Sequence, residues 1–437
     1  MPRVPLTVGL LLLASACAAA QDGDREDWAL HGQATAVVQW HPAFHAAYNG
    51  PDSLDPKAQG NETTDATLTA GLRPWHGAEF WADLELDQGL GLSNTLGIAG
   101  FPSGEAYKVG KHRPYFRLPR AFVRQTIDLG GAADSFESDL NQLAGPTSAD
   151  RLVITIGKFG VPDIFDTNRY AHDPRGDFFN WSVIDAGSFD YAADAWGFTY
   201  GAAAELSLGA WSARLGLFDG SSKPNVPQLD TIPFDQAQEV AEIEARQDWL
   251  GRTGKIKLLG FVTEARLGGY QEAVALAASS GAPPDVALVR RRREKAGLSL
   301  NLEQPVSDEA GLFLRAGFDQ GNSETYDFTD INRSLSGGAA LQGGAWQRPD
   351  DSIGSALVVN FISEAAKRYF AAGGLGVLVG DGRLDNAAAE MIWESYYRLQ
   401  LTAALALTAD YQLVNHPAYN HDRGPVSLLA ARAHLQF

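Results

Sequence analysis

The chain has 437 residues, a formal net charge of −18, one cysteine and two methionines, whereas glycine (46) and aromatic residues (10%) are plentiful. So acidic a balance argues against a nucleic-acid partner and against basic-patch binding to anionic lipid. After residue 20 there is no run of about 18 apolar residues, which excludes helical membrane spans.

The first twenty residues read as an export signal. Arg3 supplies the positive charge, residues 8–16 form an apolar stretch too short for a membrane helix, and Ala18-Ala19-Ala20 is a small-residue cleavage site. The expected division is a signal peptide, 1–20, and one exported domain, 21–437. A lipid-modified Cys17 is the alternative, but Leu13-Ala14-Ser15-Ala16-Cys17 is a poor version of that signal. Once Cys17 is removed the exported chain has no disulfide, and a closed network of strands is one way to hold it together.

Further along, apolar and polar residues alternate in runs of about ten, the pattern of a membrane β-strand with one face in lipid and one in a wet lumen. Residues 49–64 are polar and rich in turn formers and should be a loop. In 120–128, Ala121, Val123 and Ile127 alternate with Arg120, Arg124, Thr126 and Asp128. Residues 137–150 read as a second loop, and 152–159 as a strand. Trp211, Ala213, Leu215 and Leu217 share a face opposite Arg214. Residues 221–233 form a third loop. The composition of 235–246 suits a helix, but Ala241, Ile243 and Ala245 alternate with Glu242, Glu244 and Arg246, which favours a strand. Arg290 to Arg293 read as a solvated strand end or loop.

The last hundred residues are the clearest. Trp393, Ser395, Tyr397, Leu399 and Leu401 alternate with Glu394, Tyr396, Arg398 and Gln400. In 426–437, Leu429, Ala431, Ala433, Leu435 and Phe437 share a face, with Ala430, Arg432, His434 and Gln436 on the other. The chain ends on an aromatic residue that closes a strand, as bacterial outer-membrane barrels do, and their assembly machinery reads that ending. A secreted β-sandwich also alternates, but one this long would be several domains, and no Pro/Ser-rich linker divides the chain. The fold expected is an all-β, transmembrane antiparallel β-barrel of about 16 strands, at about 25 residues for a strand and its connection.

Catalytic signatures are missing: there is no G-x-S-x-G, H-E-x-x-H or G-x-x-x-x-G-K-[ST]. His41 and His45 are separated by Pro42 and have no acidic third ligand close by, so no metal is expected, nor any cofactor. Carboxylate pairs of the glycosidase kind are unavoidable among 53 acidic residues and decide nothing. The unusual segment is 158–200. It interleaves charged, amide and aromatic residues with no strand or helix period, and a loop that long in a compact domain is commonly functional. Folded into the lumen, it would narrow the pore. Asp, Asn and Arg would exchange hydrogen bonds with sugar hydroxyls that are losing water, and aromatic rings would take the apolar face of a pyranose.

Several long elements resemble the carbohydrate-selective porins of the OprB type. They are Glu85-Leu-Asp-Gln-Gly-Leu-Gly-Leu with the residues that follow to Ala106, Phe165-Asp-Thr-Asn-Arg-Tyr170, Asp173-Pro-Arg-Gly-Asp177, Gly380-Asp-Gly-Arg-Leu384 and Asn415-His-Pro-Ala-Tyr-Asn420. They run from about residue 30 to the C-terminus. The resemblance implies a 16-stranded barrel in a Gram-negative outer membrane, through which carbohydrates diffuse past a narrow, partly charged constriction without covalent chemistry. No short motif fixes which side chains line it, so candidates are chosen by facing and by segment: Arg120 and Arg124 on their strand, and Arg169, Asp173, Arg175, Asp177, Asn180 and Trp181 in the constriction segment. The expected partners are a carbohydrate solute, outer-membrane lipid and, through Phe437, the barrel assembly machinery, with the protein a monomer or homotrimer. A general small-solute porin, or a secreted carbohydrate-binding β protein or hydrolase, is the alternative.

Overall fold

The computed structural model describes residues 25–328 and 330–437; the expected export signal and its cleavage site lie outside the described residues. The strands are, in chain order, β1 (Trp28–His41), β2 (Gln59–Leu72), β3 (Ala78–Gly89), β4 (Tyr115–Arg117), β5 (Ala121–Phe136), β6 (Gly145–Phe159), β7 (Thr199–Leu208), β8 (Trp211–Asp219) and β9 (Ala237–Trp249). Then follow β10 (Arg252–Gly268), β11 (Arg290–Pro305), β12 (Ala310–Asp319), β13 (Arg333–Gly343), β14 (Arg348–Phe361), β15 (Glu390–Gln400), β16 (Leu405–Asn415) and β17 (Val426–Gln436). Both β4 and β5 pair with β3 and form one interrupted stave, so the seventeen segments make sixteen staves. Each is antiparallel to its neighbours. β17 pairs with β1 from Gln33 opposite Gln436 to Trp40 opposite Leu429, which closes the barrel and leaves no free edge.

Alternation fixes which way each strand faces. On β8, Trp211, Leu215 and Leu217 are exposed on the outer surface, while Ser212 and Phe218 are buried within. On β17, Leu429 faces outward, while Arg432 and His434 are buried inside. A shift of one residue would turn every such side chain to the wrong solvent, so a wet lumen and a lipid exterior together pin the register. Trp28, Trp75, Trp211, Trp249 and Phe437 are exposed toward one end of the wall, as an interfacial aromatic belt requires. Phe437 exchanges both main-chain hydrogen bonds with Gly32, and its ring fills the space where a Gly32 side chain would stand. Among the described residues no helix is long and apolar enough to cross a membrane.

Both ends of the described chain lie at the end of the barrel with the shorter connections, the periplasmic end in an outer-membrane barrel. The opposite end carries the long loops. Two helices there, α2 (Tyr270–Ser280) and α3 (Glu364–Ala371), pack through Tyr270 and Tyr369, whose rings are 4.9 Å apart, in a shared apolar cluster that also holds Phe101, Ile331, Leu378 and Tyr419. The outer loops are thus a packed cap.

Two boundaries differ from expectation. Residues 59–64 begin β2, and 145–150 begin β6, although both stretches read as loop. Neither shows alternation because each extends past the membrane band, where both faces meet water or polar neighbours. Residues 235–246 lie mainly in β9, the strand that alternation favoured over a helix.

Candidate functional site

The segment between β6 and β7, residues 160–198, runs inside the barrel. Its first bend is made by Asp163, whose carboxylate accepts the Gly160 N–H at 2.9 Å. Asp166 then adopts a left-handed conformation (φ 56°), which suits Asp better than most residues. Its carboxylate accepts from Asn301 at 2.7 Å, from the Ala186 N–H at 2.7 Å and from buried Arg315 at 3.2 Å. Asn180 caps the short helix α1 (Trp181–Ile184) by accepting the Ser182 N–H at 3.0 Å.

The wall holds this segment, and the residues near 100, by their backbone. Glu390 accepts the N–H groups of Ala99, Gly100 and Ala418 at 2.8 to 2.9 Å. Glu394 accepts those of Phe179 and Asn180, Glu242 that of Asp166 at 2.9 Å, and Glu303 that of Arg169 at 2.8 Å. All four carboxylates point inward from strands of the far wall. A main-chain hydrogen bond is worth about 0.5–1.5 kcal/mol net even without a formal charge on the acceptor, and several act together on one segment, which makes it a fixed plug.

Between this plug and the near wall lies a cavity of about 530 Å³. Asp83 lines one side and belongs to a column of inward-facing carboxylates on β3: Glu79, Asp83, Glu85 and Asp87 are all buried, while Phe80 and Leu84 face lipid. Guanidinium groups answer this column. Arg124 is 3.1 Å from Glu79. Arg120, in the break between β4 and β5, is 3.6 Å from Asp83 and donates to Asp163 across the cavity at 2.8 Å. Arg117 pairs with Glu85 and Asp87. From the plug, Arg175 lies 3.2 Å from Asp65, 3.4 Å from Glu85 and 3.3 Å from Glu105. Each guanidinium lining the cavity therefore stands within 3.6 Å of a carboxylate.

The other side is aromatic. Trp181 stacks on Phe101 (5.0 Å, 14° between planes) and meets Phe328 at 5.4 Å, and Phe328 meets Tyr191 at 5.0 Å. Phe198 lies under Arg117 and Arg120, each 5.0 Å from its centroid. Lys108 and Asn225 line both this cavity and an outer vestibule of about 370 Å³, so the two spaces adjoin.

Charge within the plug is uneven. Burial raises the Asp163 carboxyl, but the Arg120 guanidinium and the Gly160 N–H outweigh it and hold the group below the usual carboxylate range. Burial, with the Asp166 carboxylate beside it, pushes Asp185 up to about 8. Burial, with the Arg315 charge, pushes the His172 imidazole down. At pH 7 both groups are uncharged, so their 3.6 Å approach is not an ion pair.

The structure divides the sequence candidates. Arg120, Arg124, Asp173, Arg175 and Trp181 line the cavity. Arg169 and Asp177 line a separate recess of about 510 Å³ on the periplasmic side, against Arg252, Tyr170 and Tyr396. Asn180 is buried, its amide donating to the Gly100 carbonyl at 2.7 Å and to Gln412 at 3.1 Å. Within a segment that has no period, sequence alone does not tell which side chain points where. The β3 carboxylates carry a signal in the sequence that a search of the aperiodic segment alone does not reach: acids at 79, 83, 85 and 87 alternate with Phe80, Leu84 and Leu86.

Residues 52–437 match the model of the family described as carbohydrate-selective porin, OprB family. Among solved structures, the fold is similar to Pseudomonas putida OprB at high pH (TM-score 0.70, 16% identity, 94% of each chain covered). It is similar also to the outer-membrane channel DcaP of Acinetobacter baumannii (TM-score 0.51, 10% identity, covering 94% of this chain and 97% of that one). At these identities the likeness speaks for the fold. A comparison with curated proteins gave no match.

Proposed function

Because the chain belongs to the carbohydrate-selective porin, OprB family, and forms a closed outer-membrane barrel, we propose that sugars diffuse to the periplasm through the 530 Å³ cavity, past Arg120, Arg124, Asp173, Arg175 and Trp181. One observation carries this reading: a lining of matched guanidinium–carboxylate pairs faces a row of aromatic rings. A sugar needs both. Its hydroxyls are donors and acceptors at once, and adjacent N–H and carboxylate groups replace the water they lose. Its axial C–H face is apolar and rests on Trp181 or Phe328. Because each guanidinium already has a carboxylate beside it, the pairs offer hydrogen bonds with little net field, which suits an uncharged solute. Binding stays weak enough for release, because a solute competes with existing ion pairs for every bond it makes.

Arg169 and Asp177 belong on this reading to the periplasmic recess that the solute meets after the constriction, and Asn180 is an anchor of the plug that touches no solute. Residues 1–20 serve as the cleaved export signal, Phe437 as the ending read by the assembly machinery, and the barrel works as a monomer or homotrimer. The test is swelling of liposomes that carry the refolded protein, with glucose, a disaccharide and a neutral amino acid. Faster influx of glucose than of the smaller amino acid is the expected result. Influx ordered by size alone would reduce the protein to a general porin, and folded protein that causes no swelling would overturn the reading.

A further inference from the structure

The β5–β6 hairpin departs from the rest of the periplasmic end. Its connection, 137–144, is longer than any other there, and residues 127–135 of β5 are exposed on both faces, so the hairpin projects beyond its neighbours. It does not simply hang in water. The ladder slips at Gly130 and again before Ala133, and Gly130 and Gly131 both take positive φ (104° and 84°), which an L side chain would strain. Bent there, the tip returns to the barrel mouth.

At the mouth the tip is seated by specific bonds. Leu143 is fully buried in a cluster that includes Ala29, Trp81 and Phe122. Glu26 and Ala144 exchange hydrogen bonds at 3.0 and 2.8 Å, and Arg73 donates to the carbonyls of Leu143 and Ala144. The tip itself is a tight turn, closed by reciprocal bonds between Asp139 and Gln142, with Asn141 left-handed at φ 57°. The Asn141 side-chain amide donates to Asp83 at 2.8 Å, and the Asn141 main-chain carbonyl accepts from Arg124 at 2.8 Å. Leu140, Asn141 and Gln142 line the same cavity as Arg120 and Arg175. A periplasmic turn thus reaches the carboxylate column that the β6–β7 plug meets from the other side.

We propose that this hairpin tip is a second selectivity element, an exit filter in which Asn141 and Gln142 hydrogen-bond the polyol as it leaves the ion-paired constriction for the periplasm. Uncharged amides donate and accept alike, so they match hydroxyls without holding ions. Asn141, bonded to Asp83 and Arg124, links the filter to the ion pairs above it. The idea rests on the sugar-pore reading for its substrate, but not for its geometry, and the experiment separates the two.

The full chain carrying Asn141→Cys with Cys17→Ala is placed in planar bilayers and exposed on each side in turn to a cationic methanethiosulfonate. Folding is checked by heat-modifiable mobility, and Leu140→Cys serves as a second reporter. Modification at either position from the periplasmic side should lower single-channel conductance by a third or more. Unchanged conductance in both variants, with the thiols shown to be modified, would put the tip off the path and overturn the proposal. In liposomes, Asn141→Ala combined with Gln142→Ala should reduce the preference for glucose over a neutral amino acid by about two- to tenfold, the worth of one neutral hydrogen bond. A preference kept intact would remove the filter role. If the unmodified protein shows no sugar preference, the substrate reading fails, while the thiol result still reports whether the tip lines the path.

Discussion

Arg175 is where one substitution should change ion selectivity most. Its side chain is 14% exposed, and its guanidinium faces three carboxylates, Asp65, Glu85 and Glu105, at 3.2 to 3.4 Å. Arg175→Met keeps the bulk and removes one positive charge from the cavity lining. An ion passing about 6 Å away through water feels about 0.7 kcal/mol from that charge. The loss helps a cation and hinders an anion, so the gap between them changes by about 1.4 kcal/mol, or tenfold in the permeability ratio. Screening at 0.1 M salt, with a Debye length of about 10 Å, roughly halves the energy and leaves about threefold. The assay is the reversal potential of single channels in a potassium chloride gradient, which should move toward the potassium value, and further at low salt. Removing one partner of a buried pair costs about 3–5 kcal/mol, here near the lower end because Glu85 keeps Arg117. The variant should therefore fold but unfold at lower temperature. An unchanged reversal potential in folded Arg175→Met would refute the argument, since it would mean that the guanidinium lies off the path or that its carboxylates take up protons to compensate. Arg175→Lys is the control: it keeps the charge and the ion ratio but loses the planar fork, and with it part of the sugar preference.

Three further outcomes follow from the same geometry. Trp181→Ala should cut glucose influx relative to a neutral amino acid by about two- to tenfold in liposome swelling, since an aromatic contact is worth about 0.5–1.5 kcal/mol; an unchanged ratio would take the ring out of the path. Glu394→Ala removes the acceptor for the Phe179 and Asn180 N–H groups, so open-channel current noise should rise while mean conductance changes little. Asp185, with its pKa near 8, is uncharged at pH 7 and ionised at pH 9. The added negative charge should raise the potassium-to-chloride ratio between these two pH values, and Asp185→Asn should abolish that rise.

How much of this could be read from sequence depended on whether a residue met two different solvents. The facing of β15 and β17 was legible, because Trp393 and Leu429 meet lipid while Glu394 and Arg432 meet the lumen. The starts of β2 and β6 were not, because polar surroundings on both faces erase the alternation. In the plug the difficulty is of another kind. Arg169, Arg175 and Asp177 lie within nine residues, yet Arg175 reaches the cavity and the other two the recess, and only tertiary bonds such as that from the Arg169 N–H to Glu303 decide which. Asn180 looked like a solute contact because amides suit sugars, but the structure uses the same hydrogen-bonding capacity as a cap and a tie to Gly100. The hairpin tip escaped notice because its importance comes from a bend at two glycines, which no pattern of polarity records.

The wall grips its plug by the main chain. Glu242, Glu303, Glu390 and Glu394 bind N–H groups that every amino acid except proline possesses. The side chains at Ala99, Phe179 and Arg169 are therefore free to vary as far as these bonds are concerned. Away from its side-chain anchors, Asp166 and Asn180, the insert can be recoded like a replaceable cartridge while its mounting in the barrel stays the same. Relatives with different diets could diverge along it by point substitution without first reinventing a fold, and an engineer seeking a new nutrient channel could randomise the same stretch, leaving out proline at the mounted positions.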